Sequence, residues 1–199
     1  GEPEVMEAAA RKAAGRELLK VKLAGDGDVD RIDAVRRGAP DARIIVDANE
    51  AWSGLDIERM AADLAGYRVE LIEQPLPAGR EAELEHVRTV VPLCADESAH
   101  DLASLDACLG RFDFINVKLD KAGGLTEALR LVESAKAAGM GIMTGCMLST
   151  SLGIAPAFYA AVHGQFADLD GPLLLARDRE HGLRFAGSDV FSPEAALWG

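Results

Sequence analysis

The sequence predicts an α/β protein whose strand–helix units repeat and whose strands lie parallel in a barrel of the (β/α)8 type. Three observations predict it. Short apolar runs recur without alternation, such as Ile44-Ile45-Val46, Leu71-Ile72 and Ile115-Asn116-Val117. Runs of that kind suit strands covered on both faces. The runs end in charged residues at positions 22, 47, 73, 96 and 118, each 22 to 26 residues after the last. That step is about one strand–helix unit, so these side chains gather at one end of a parallel sheet. Between the runs lie stripes at helical spacing, among them Ile57, Met60, Ala61, Leu64 and Leu125, Ala128, Leu129, Val132, at i, i+3, i+4 and i+7.

The elements follow in order. Gly1-Glu2-Pro3 reads as the tail of a strand or loop, and an Ala-rich helix from about 4 to 15 stops at Gly15. Strand Leu18–Leu23 comes next, then a helix capped by Asp28 with Ile32 and Val35 inward. The second strand ends at Asp47, and its helix carries the Ile57 stripe to Gly66. Strand Val69–Glu73 stops at Gln74-Pro75, because proline cannot continue the ladder. A helix around 81–89 leads to strand Leu93–Asp96, followed by a stripe of Leu102, Leu105 and Leu109. Strand Phe112–Leu119, Gly123-Gly124 and the Leu125 helix follow. Strand Gly141–Thr144 opens into a helix running to about His163. Phe166–Asp170 forms the last strand before Gly171-Pro172, and the remainder is an irregular tail.

That makes seven strands, alternating with helices throughout. An eight-stranded barrel needs one more, and the chain starts where that strand would have ended. The expectation is a barrel lacking its first strand. An open doubly wound sheet is the alternative, disfavoured by the absence of a Gly-rich turn after the first strand.

The composition narrows the function. The 199 residues carry a formal charge of −12, which argues against nucleic acid and anionic membrane as partners. No apolar run approaches a membrane span of roughly 20 residues. The acidic N-terminus has no apolar signal region. Three cysteines, Cys94, Cys108 and Cys146, lack metal-site spacing and read as reduced residues of a cytoplasmic protein.

Asp47, Glu73 and Asp96 stand at three successive strand ends. An all-oxygen site of this kind is the preference of Mg²⁺. Asn49 and Glu97 are expected to support the ligands, Asn49 because a strand continued past Asp47 would aim both to one side. Lys20 and Lys22 are two apart on one strand and should both point inward, where paired cations make a better base. Lys118, on the sixth of eight strands, would face this pair across the barrel.

The motifs Lys20-Val21-Lys22, Asp47-Ala48-Asn49, Glu73-Gln74-Pro75, Ala95-Asp96-Glu97-Ser98 and Asn116-Val117-Lys118, in this order, resemble the enolase superfamily. Within it the chain resembles the muconate-lactonizing-enzyme subgroup, and most of all the dipeptide epimerases of the L-Ala-D/L-Glu type. The resemblance covers essentially the whole chain. It implies a modified (β/α)7β TIM barrel, with residues 1–199 as the C-terminal catalytic domain and an N-terminal capping domain outside the sequence. It implies that Asp47, Glu73 and Asp96 bind Mg²⁺, that Lys22 and Lys118 are the acid–base pair, and that Lys20 supports Lys22. The implied reaction is a 1,1-proton transfer: one lysine takes the α-proton, an enediolate forms, and the other lysine returns a proton to the opposite face.

Asp168 and Asp170 bear on the substrate. If the last strand runs through both, they point to one side and call for a cation between them, which the ammonium of a dipeptide supplies. The rival readings are muconate cycloisomerisation or o-succinylbenzoate synthesis on the same site, a Schiff-base aldolase using Lys22 or Lys118, and an inactive barrel fragment. A homo-oligomer is compatible with any of them.

Overall fold

A computed structural model describes residues 1–199. The chain forms two compact units, Gly1–Ser98 with Gly110–Phe112, and Ala99–Leu109 with Asp113–Gly199. All seven expected strands are present.

The first unit runs α1 (Pro3–Lys12), β1 (Leu18–Lys22), α2 (Asp28–Gly38), β2 (Arg43–Asp47), α3 (Ile57–Ala65), β3 (Val69–Glu73), a 3₁₀ turn (Glu81–Leu84) and β4 (Leu93–Ala95). The four strands pair in chain order and in parallel, with β1 at the edge. Ile44, Ile45, Val46, Leu71 and Ile72 are all buried. Burial of consecutive residues means that both faces are covered, which is why these strands read as unbroken apolar runs. Helix α3 buries Ile57, Ala61 and Leu64, and Asp56 caps it by accepting the Arg59 N–H at 3.0 Å. Gly38 closes α2 against the backbone of Glu7 in α1, where no Cβ would fit.

The second unit runs α4 (Leu102–Cys108), β5 (Phe114–Val117), α5 (Leu119–Ala122), α6 (Leu125–Ala137), β6 (Gly141–Gly145), α7 (Ser151–Ile154), α8 (Ala157–Ala161), β7 (Phe166–Asp168), a 3₁₀ turn (Gly171–Leu174), and the antiparallel pair β8 (Phe185–Ala186) and β9 (Asp189–Val190). Strands β5, β6 and β7 pair in parallel and in chain order. Asp101 and Ser104 form a reciprocal cap at the start of α4. Leu169, Ile154, Leu183 and Leu197 share a buried cluster, so the tail is anchored rather than loose.

Several expected elements differ. The helix expected around 81–89 is a single 3₁₀ turn, because Thr89-Val90-Val91 is β-branched and Pro92 restricts the residue before it. The stripe Leu102, Leu105, Leu109 buries only Leu105; α4 ends at Cys108, leaving Leu109 outside it and Leu102 in its exposed first turn. The helix expected to reach His163 breaks at Pro156 into α7 and α8. The tail contains a small hairpin. Asp28 is the first residue of α2 and Gly27 its cap. No helix is long and apolar enough to cross a membrane.

Candidate active site

The acidic residues are assembled by the strand register. Lys22 pairs with Asp47 and Asp47 with Glu73. Glu73, however, pairs with Cys94. Asp96 therefore lies two residues past the level of the other two carboxylates and beyond the end of β4. Even so, ligand oxygens of Asp47, Glu73 and Asp96 all lie within 4.8 Å of one another. The three residues are 0%, 1% and 2% exposed.

Two lysines of β1 meet this cluster. Lys20 Nζ is 2.7 Å from Glu73 Oε2 and 3.3 Å from Asp47 Oδ2, and Lys22 Nζ is 2.5 Å from Asp47 Oδ2. Both ammonium groups reach the carboxylates, as i and i+2 residues of one strand should, but their exposure differs. The Lys20 side chain is 13% exposed and the Lys22 side chain 62% exposed. The Lys22 ammonium is held by Asp47.

Three buried carboxylates repel, and the charge balance records it. The Glu73 carboxyl is pushed up to about 7, by burial first, with Asp47 and Asp96 adding to the rise and Lys20 opposing it. Such a group accepts a divalent cation readily, since the metal removes the like-charge penalty. Hard oxygen donors, close approach and burial all fit Mg²⁺. Glu97 is also raised, by burial first and then by Asp96 and Asp47.

Asn49 reaches the site by a turn, correcting the expectation of a continued strand. Strand β2 ends at Asp47, and Asn49 has φ 49°, a left-handed conformation that asparagine tolerates. Its N–H donates to Asp47 Oδ1 at 2.9 Å, and its Nδ2 donates to Glu97 Oε1 at 3.0 Å. The predicted supporting pair is thus brought together.

Sequence reasoning missed a buried strut. Asp28 accepts from the N–H groups of Ala24 (3.0 Å) and Gly25 (2.9 Å), from Arg31 Nη1 (2.8 Å) and from Trp52 Nε1 (2.8 Å). It ties the loop after Lys22 to the turn after Asp47. No local signal distinguishes it from an ordinary first-turn aspartate.

The second unit holds the other candidates. Lys118 follows β5 at the start of α5 and is 9% exposed. Its stem passes Gly145, where a Cβ would stand 3.0 Å from Lys118 Cε and 2.7 Å from Asn116 Oδ1. Gly145 pairs in register with Asp168. Asp170 departs from expectation: β7 ends at Asp168, and Asp170 has φ −84° and ψ 1° at the start of the 3₁₀ turn. Pro172 inside that turn has no N–H to extend the ladder. The two aspartates are therefore not i and i+2 of one strand. Both still act on Cys146, whose thiol is pushed up to about 11, by burial first, then by Asp168 and Asp170, against the Gly171 N–H and Lys118. All three cysteines are free thiols.

Proteins of known activity resemble this chain over most of its length. An N-acetyl-D-glutamate racemase from Pseudoalteromonas sp is 42% identical over 197 residues, covering 99% of this chain and 62% of that protein. The L-Ala-D/L-Glu epimerase of Escherichia coli (strain K12) is 46% identical over 177 residues, 89% of this chain and 55% of the epimerase. A crystal structure of an enolase family member from Agrobacterium tumefaciens, described as homologous to dipeptide epimerases and holding sodium and L-Ala-L-Glu, superposes with a TM-score of 0.96 at 50% identity. That match covers 100% of this chain and 61% of the solved one. The chain thus spans less than two thirds of the length of each, and over that span it has the superfamily's parallel barrel architecture. Residues 4–181 match the model described as enolase C-terminal domain-like, and the chain belongs to that family.

Proposed function

We propose that the protein is a Mg²⁺-dependent epimerase that inverts an α-carbon of a dipeptide by two-base 1,1-proton transfer. The observation that carries this reading is the buried triad Asp47, Glu73 and Asp96, with two lysine ammonium groups held against it. Mg²⁺ held by these three carboxylates supplies stabilisation of the negative charge that develops on the substrate carboxylate. Lys22 and Lys118 are the acid–base pair: one, neutral, takes the α-proton, and the other, protonated, returns a proton to the opposite face. Lys20 sits on Asp47 and Glu73 and sets the charge around Lys22. Asp168 and Asp170 accept the substrate ammonium. The three free thiols support a cytoplasmic setting.

A second reading has a specific observation in its favour, the 42% identity to an N-acetyl-D-glutamate racemase across nearly the whole chain. An N-acylated substrate carries no ammonium, so it gives Asp168 and Asp170 nothing to bind. The test is kcat/KM for L-Ala-L-Glu, its N-acetylated form and N-acetylglutamate. The dipeptide reading expects the free dipeptide to be preferred, and Asp168→Asn to reduce that preference by roughly 1–3 kcal/mol. Equal values for the free and acetylated dipeptides would remove the ammonium from recognition.

A further inference from the structure

We infer that Gln74 is a positioning residue for the metal site, holding the turn after Asp47 and the backbone of Asp96 around the end of β3. The inference rests on the metal-binding reading above. Gln74 follows Glu73 directly and has φ 38°, a left-handed conformation that side chains other than glycine rarely adopt. Pro75 restricts it further. Strain of this kind persists only where the surroundings over-determine the backbone.

Here the surroundings do so. Gln74 is buried, and every polar atom it has is used. Its N–H donates to Cys94 O at 2.8 Å, and its carbonyl accepts the Glu50 N–H at 2.8 Å. Its Oε1 accepts the N–H groups of Asp96 (2.8 Å) and Ser98 (3.1 Å). Its Nε2 donates to Leu76 O (2.7 Å) and Ser98 Oγ (2.8 Å). Ser98 Oγ in turn donates a hydrogen bond to Glu81 Oε1 at 2.6 Å.

The need for such a clamp follows from the register. The ladder that fixes Glu73 runs to Cys94, and β4 stops at Ala95. Asp96 lies past that point, and the bond from its N–H goes to Gln74. On the other side, the Gln74 carbonyl holds Glu50, next to Asn49 in the turn after Asp47. One residue thus touches the backbone around all three carboxylates. A bent conformation at Gln74 is what turns its amide towards Asp96, whereas an extended residue would continue β3.

The test is titration of the EDTA-treated protein with Mg²⁺ alone by calorimetry, beside thermal melting of each metal-free variant. Gln74→Met removes the acceptor and should weaken Mg²⁺ by about 10- to 100-fold, the usual cost of losing a group that orients a ligand. Gln74→Asn suits the left-handed backbone better, but its shorter amide is drawn back from Asp96. It should lose affinity similarly with a Tm no lower than that of Gln74→Met. Ser98→Ala takes away one bond to the amide and leaves Asp96 held, so its Kd should stay within about twofold of wild type. A folded Gln74→Asn that binds Mg²⁺ as wild type does, or a Ser98→Ala that loses as much as Gln74→Met, overturns the inference. Failure of both Gln74 variants to fold would assign the residue to folding and equally overturn it. Wild type that binds no Mg²⁺ would instead overturn the metal reading beneath it.

Discussion

Lys20 Nζ lies 2.7 Å from Glu73 Oε2, an ammonium set against a carboxyl that burial has pushed up to about 7. The sign of the pH dependence follows. Between its ordinary range near 4.5 and about 7, the folded carboxyl holds a proton that the unfolded chain has released. This group therefore makes the metal-free fold lose stability as pH rises through that window. Mg²⁺ needs the ionised form, so its affinity should rise from pH 5.5 to about 7 and level off above, with proton release at the lower end. Calorimetry in two buffers of different ionisation enthalpy measures both. Affinity that stays flat over this range would contradict the assignment. Lys20→Met should move the rise to higher pH.

The three carboxylates are expected to be indispensable and separable from folding. Asp47→Asn, Glu73→Gln and Asp96→Asn should each lower activity by on the order of a thousandfold, equivalent to several kcal/mol of lost charge stabilisation. Circular dichroism should stay native. Turnover near wild type in any variant would remove that residue from the ligand set.

Gly145 makes room for Lys118, since a Cβ there would meet Cε at 3.0 Å and the Asn116 amide at 2.7 Å. Gly145→Ala should displace the lysine head and lower kcat by roughly 10- to 100-fold, the cost of a misplacement near 1 Å. KM should change little. Steady-state kinetics with a fold check decides it, and an unchanged kcat would show that the lysine does not depend on this gap.

The two lysines should separate by stereochemistry. Lys22→Ala and Lys118→Ala should each abolish epimerisation, while each retains α-deuterium exchange with one epimer in D₂O. Mass spectrometry of both epimers reads this out. Interconversion at the wild-type rate in either variant would contradict a two-base reaction.

Much of this was legible in the sequence because period and position carry it. The unbroken runs at Ile44–Val46, Leu71–Ile72 and Leu93–Ala95 suit strands covered on both faces, and the charged residues that follow them are Asp47, Glu73 and Asp96. What stayed hidden depends on backbone beyond the strand ends. Asn49 reaches Asp47 through a left-handed turn, Asp170 leaves β7 before the 3₁₀ turn, and Asp96 sits past its ladder. The strand rule of alternating side chains does not apply there. Gln74 looked like a mere stop before Pro75, since its six hydrogen bonds are long-range or depend on an unusual φ.

The most direct test of the central claim is incubation of the protein with L-Ala-L-Glu in D₂O, with Mg²⁺ and with excess EDTA, followed by proton NMR of the glutamate α-proton and of the alanine methyl, which distinguishes the two epimers. The account predicts loss of the α-proton signal together with appearance of the second epimer, both suppressed by EDTA and restored by Mg²⁺. Exchange and epimerisation that proceed unchanged in EDTA, or a Mg²⁺-loaded protein that exchanges the α-proton of N-acetylglutamate and not that of the dipeptide, would contradict it.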